Sequence, residues 1–73
     1  MEYVIVKYSY ARNVFVDGQC NGETNQVLRV EEGTHRFDLG DNRDYSPAFH
    51  KSKVKNTTQI KPMVIMFSSM KEL

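Results

Sequence analysis

Apolar and polar positions alternate with a period of two along most of the chain. Val4, Val6 and Tyr8 alternate with Tyr3, Ile5 and Lys7, and Val14 and Val16 with Phe15 and Asp17. Leu28 and Val30 flank Arg29, and His35, Phe37 and Leu39 alternate with Thr34, Arg36 and Asp38. A period of two is the strand signal. The residue types in these runs suit a pleated, half-buried surface. Turn residues divide the runs. Asp17-Gly18 reads as a tight hairpin, because both central positions accept positive φ. Asn21-Gly22 reads as a second turn, and Gly33 follows Glu31-Glu32 at a position suited to left-handed backbone. A polar loop covers residues 40–44, and Asn56-Thr57-Thr58 forms the last turn. About six to seven short strands with turns between them predict an all-β fold, a small antiparallel β-sandwich or barrel.

The apolar run at residues 63–67 is ambiguous. Met63, Met66, Phe67 and Met70 fall at helical spacing, and Pro62 suits a first helical position. Val64 and Ile65 are β-branched and the run is short, which favours a strand. The predicted core is Val4, Val6, Val14, Val16, Leu28, Val30, Phe37, Leu39, Val54, Val64 and Met66.

Length and charge narrow the function. Seventy-three residues of 8.5 kDa support one domain with one small core, with residues 68–73 expected as a short tail. A sandwich this small has no interior room for a pocket of about 300 Å³ or more. Ten Lys and Arg against nine Asp and Glu leave a formal charge of +1, which lacks the basic footprint of a DNA-binding domain. The single cysteine, Cys20, excludes an internal disulfide. No signal peptide is visible, and the longest apolar run is too short to span a bilayer, so a cytoplasmic protein is expected.

Few residues suggest chemistry. Asp38, Asp41, Asn42 and Asp44 crowd one loop, but their spacing fits an Asx-rich turn better than a calcium loop. His35, His50 and Cys20 form no close-spaced ligand pair. His35 is expected as a partly buried strand residue, and Cys20 as a small packing residue beside a turn. No nucleophile with a base and an orienting group is apparent, so neither catalysis nor a cofactor or metal is expected. Lys51, Lys53 and Lys55 alternate along one strand face. Lysines there suit an exposed edge strand, where their charge opposes pairing with other sheets. They also suit a nucleic acid or other anionic surface, with Tyr45 or Phe49 stacking a base. Asn56-Thr57-Thr58 matches an N-glycosylation pattern but reads here as a turn.

The order of these signals resembles a known family. The chain reads Val14-Phe15-Val16-Asp17-Gly18, Gly22-Glu23-Thr24, Leu28-x-Val30, Gly33-Thr34-His35 and Asp44-Tyr45-Ser46-Pro47. It resembles the PEGA domain, whose pattern runs V-x-V-D-G, G-x-T-P, a hydrophobic strand, G-x-H, an alternating strand and G-Y. The resemblance covers residues 3–67. The chain departs from it at Ser9-Tyr10-Ala11-Arg12, which stand in place of Pro-Glu-Gly-Ala. Asn25 replaces a proline, and Asp44 replaces a glycine. The resemblance implies a transthyretin- or prealbumin-like sandwich with no catalytic residues, used as an accessory module.

The function these observations predict is a structural or protein-interaction module that binds through a sheet edge or face. Tyr3 and Ile5 on the strand at residues 3–7, and the run at 63–67, are the candidate contacts for a protein partner or a weak homodimer. Lys51, Lys53 and Lys55 would serve the alternative, a carbohydrate or nucleic-acid module. Tyr3, Tyr8, Tyr10 and Tyr45 exposed in one patch would favour that alternative.

Overall fold

In a computed structural model, which describes residues 1–41 and 44–70, Asp17 and Gly18 have φ of 53° and 86°. They join β2 (Asn13–Val16) to β3 (Gln19–Glu23). Positive φ at both positions matches the right-handed twist of the two strands they connect. The Asp17 N–H also donates to the Arg36 carbonyl at 2.8 Å, tying the hairpin to β5 (Gly33–Asp38). β5 pairs with β2 on one side and with β7 (His50–Val54) on the other. This sheet has the order β3-β2-β5-β7 and is antiparallel throughout.

The second sheet has β1 (Glu2–Lys7) at its centre, between β4 (Val27–Val30) and β8 (Met63–Met66). β1 and β4 are antiparallel, whereas β1 and β8 run parallel, so the sandwich is antiparallel in all but one pair. A short ribbon joins β6 (Tyr45–Ser46) to β9 (Ser68–Ser69). Of the tail expected at residues 68–73, residues 68–69 are paired and the Met70 N–H donates to the Asp44 carbonyl, while 71–73 lie outside the described residues. The described residues contain no helix, so the chain is all-β. The ambiguous run at 63–67 forms a strand over Met63–Met66.

The core lies between the two larger sheets. Val4, Val6, Val14, Val16, Leu28, Val30, Phe37, Leu39 and Val54 are buried, as the alternation predicts. The C-terminal strand is the correction. Its register sets Val64 beside Ile5 and Ile65 beside Val6. Val6 faces inward, so Ile65 and Phe67 enter the core while Val64 and Met66 stay exposed. Five consecutive apolar residues carry no phase of their own, and the pairing with β1 supplies it.

Gly22 is a second correction. It lies inside β3 rather than in a turn. Val14 opposes Gly22 and Phe15 opposes Cys20, which leaves Asn21 as the extra residue of a bulge. Gly22 has φ +143°, and a Cβ there would lie 2.5 Å from Leu28 Cδ2. The glycine therefore serves close packing of β3 over Leu28.

Thr24 and Asn25 close the other end of the core. Thr24 is fully buried; its hydroxyl accepts from the Arg12 N–H and donates to the Tyr10 carbonyl. Asn25 has φ 66°, its N–H donates to the Val6 carbonyl, and its side chain accepts from the Tyr8 N–H. A proline could supply neither that φ nor that donor. This is the physical reason for asparagine after Thr24.

Candidate functional site

The outer face of the sheet β4-β1-β8 is apolar. Alternation places Tyr3, Ile5 and Lys7 of β1 on that face, with Val27 and Arg29 of β4 and Val64 and Met66 of β8. Register aligns Val27, Ile5 and Val64 in one row across the three strands. Tyr3 stands opposite Arg29 at one end, and Lys7 beside Met66 at the other. Val27 and Val64, at the ends of the row, are 44% and 54% exposed and the neighbouring Met66 is 65% exposed, while Ile5 at the centre is half-buried. An apolar row across a sheet is what a second packed layer would normally cover.

Two expectations about sheet edges change here. β1 is a central strand, paired on both sides, so Tyr3 and Ile5 offer a face and not an edge. β8 is an edge, but a short one. Its outward backbone groups belong to Val64 and Met66, by the alternation of a parallel ladder. His50 Nε2 donates to the Met66 carbonyl at 2.8 Å, with its ring against Phe67 at 4.9 Å, which covers part of that edge.

β7 is one of the two edge strands of the other sheet, and Lys51 and Lys53 lie on its exposed side, with Lys55 just beyond it. Arg36 stands opposite Lys51 on β5, and its guanidinium carbon lies 4.2 Å from the Phe49 ring centre. The tyrosines do not join this basic strip. Tyr8 and Tyr45 are buried on either side of Arg12, whose guanidinium lies 5.5 and 5.1 Å from their ring centres. Arg12 also pairs with Asp44 at 2.7 Å and donates to the Leu39 carbonyl at 3.0 Å. The arginine holds the Asp44 carboxyl below its ordinary range. The Tyr45 hydroxyl donates to the Gly40 carbonyl and accepts from the Leu39 N–H, which ties it to the end of β5. Asp38 accepts from the Gly40 N–H, an Asx turn, while Asn42 lies outside the described residues.

The sequence left His35 and Asp17 unlinked; the fold joins them. His35 Nδ1 lies 2.6 Å from Asp17 Oδ2, and Nε2 lies 2.6 Å from the Glu31 carbonyl. Both partners are acceptors, so a proton on each ring nitrogen satisfies both contacts. The Asp17 carboxylate accordingly raises the His35 pKa, with the Glu31 carbonyl adding to the effect. Asp17 is lowered, first by the Arg36 N–H donating to Oδ1 and then by His35.

Asp17, Glu31 and His35 line an open cleft of about 340 Å³, together with Cys20 and Asn21 of β3 and Arg29 of β4. The cleft lies outside the core, which is how a sandwich this small comes to have one. Cys20 is exposed and not a packing residue. Cysteine, histidine and aspartate share the cleft, yet the histidine's second nitrogen is held by Glu31 and is not free to take a thiol proton. Among the described residues no three His, Cys, Asp or Glu side chains gather as metal ligands. No helix among them is long and apolar enough to cross a membrane. A comparison with protein-family models finds no match, and neither curated proteins nor solved structures match the chain.

Proposed function

We propose that the chain is a non-catalytic protein-interaction module of the PEGA-like kind, which docks another protein on the outer face of β4-β1-β8. The row Val27–Ile5–Val64 carries this reading. β1 and β8 are apolar at consecutive positions, the pattern of strands covered on both faces, although only one face meets the core. The other face is the natural seat for a partner. The PEGA-like motif residues support an architectural role: Asp17-Gly18 makes the hairpin and Thr24 satisfies buried backbone. Binding of a sugar or nucleic acid is the second reading. The strip of Arg36, Lys51 and Lys53 beside the exposed Phe49 ring favours it, but Tyr8 and Tyr45 lie inside the core and add no further stacking platform.

Photo-cross-linking in the native cells separates the two. A benzophenone side chain at Val27 or Val64 is expected to join one and the same protein from both positions. The same group at Thr34 or Lys53 is expected to join none. Cross-links arising only from Thr34 and Lys53, above all to nucleic acid, would reverse the assignment.

A further inference from the structure

We infer that the occupant of the outer face of β4-β1-β8 is a short amphipathic helix bearing carboxylates beside its apolar stripe; this rests on the docking face proposed above. Size argues first. Three strands place their outer axes about 10 Å apart, and four residues of strand cover about 13 Å. That is the footprint of two to three turns of one helix, about 10 Å across. A stable pair of globular subunits buries about 800 Å² of accessible surface on each partner, so its contact would have to extend well past these three short strands. A second copy of this chain is therefore poorly matched to the row alone.

Charge argues next. The strand positions on this face include two cations, Arg29 and Lys7, and no carboxylate. Glu2, the one acid on these strands, is turned to the Thr57 N–H and hydroxyl at 2.9 and 2.6 Å. Two copies placed face to face would bring four cations together with no acid between them. A partner helix with glutamates flanking its apolar stripe would meet both cations instead. Arg29 and Lys7 sit on opposite sides of the apolar row, about 14 Å apart along the strand direction, which matches carboxylates about nine residues apart on a helix laid along the strands. Across such an interface the charges set orientation and partner choice, while Ile5, Val27, Val64 and Met66 supply the burial.

Two synthetic helical peptides of 14 residues test this on the unmodified chain. Both carry the same leucine stripe at i, i+3, i+4 and i+7; one is flanked by glutamates and the other by lysines. Followed by amide chemical shifts, the glutamate peptide should perturb Ile5, Val27 and Val64 and bind at least tenfold tighter than the lysine peptide. A Lys7→Glu/Arg29→Glu double variant should invert that preference. Equal affinity overturns the acidic helix and leaves the docking face standing. Binding by neither peptide, or shifts confined to the cleft at His35, also overturns it, and the cross-linking pattern then decides the face separately. Sedimentation showing a dimer that Val64→Lys dissociates would assign the face to a second copy and overturn it as well.

Discussion

Asp17 and His35, eighteen residues apart in the chain, meet at 2.6 Å between Oδ2 and Nδ1, while the other Asp17 oxygen accepts the Arg36 N–H. One side chain thus joins the β2–β3 hairpin to the middle of β5. The histidine is raised above its ordinary 6.5. It binds its proton more tightly folded than unfolded, so its contribution is complete below pH 6.5 and fades as pH rises through the higher folded value. Asp17 is lowered below 3.8, so its contribution holds above that pH and fades as pH falls through the lower folded value. Stability should therefore be level from about pH 4 to 6.5 for this pair and decline on the alkaline side, by the roughly 0.2–1 kcal/mol of a partly exposed ion pair. Urea midpoints for the natural chain and His35→Gln, taken at pH 5.5 and 9, measure this. An equal alkaline decline in both chains would remove His35 as its cause.

Gly22 and Gly33 separate two costs of replacing glycine. Both have positive φ, at 143° and 134°, but only Gly22 faces a close neighbour. Gly33→Ala should cost about 1 kcal/mol through backbone strain alone. Gly22→Ala should cost about 2–4 kcal/mol, since the methyl must also displace Leu28 Cδ2. Equal denaturation midpoints for the two variants would show that Leu28 yields without penalty.

The phase of β8 can be measured directly. Ile65 is buried and Val64 is exposed. Ile65→Ala should lower stability by about 2–4 kcal/mol through loss of burial and a residual cavity. Val64→Ala should stay within about 0.5 kcal/mol in the isolated chain, as surface substitutions do. Reversed sensitivities would mean that the strand pairs with β1 one residue out of register.

Arg12 holds three parts of the chain at once: Asp44, the Leu39 carbonyl and the rings of Tyr8 and Tyr45. Its planar fork makes two directed bonds while its face lies over rings, which an ammonium cannot reproduce. Arg12→Met should lower stability by about 1–3 kcal/mol. Arg12→Lys should restore less than half of that loss in thermal or urea unfolding. Full recovery by lysine would show that charge alone sustains the site.

Local signals were enough wherever a short stretch of chain settles its own conformation. Asp17-Gly18 is a hairpin because two adjacent residues accept positive φ, and that needs no distant partner. The alternation of Val14, Val16, Leu28, Val30 and Phe37 separates inside from outside because successive strand residues face opposite ways. The all-β class follows from those two facts. Where the local pattern was silent, distant contacts decided. Residues 63–67 are apolar throughout, so only parallel pairing with β1 chose Ile65 over Val64 for the core. Asn21-Gly22 has the composition of a turn, but packing against Leu28 draws it into a bulged strand. The strand at residues 3–7 reads equally well as edge or centre, because edge status belongs to the sheet order and not to the strand. The join of His35 to Asp17, and the row Val27–Ile5–Val64, each bring together residues far apart along the chain. No local propensity encodes such a meeting; it follows from strand order and register, which the burial of the whole core fixes at once.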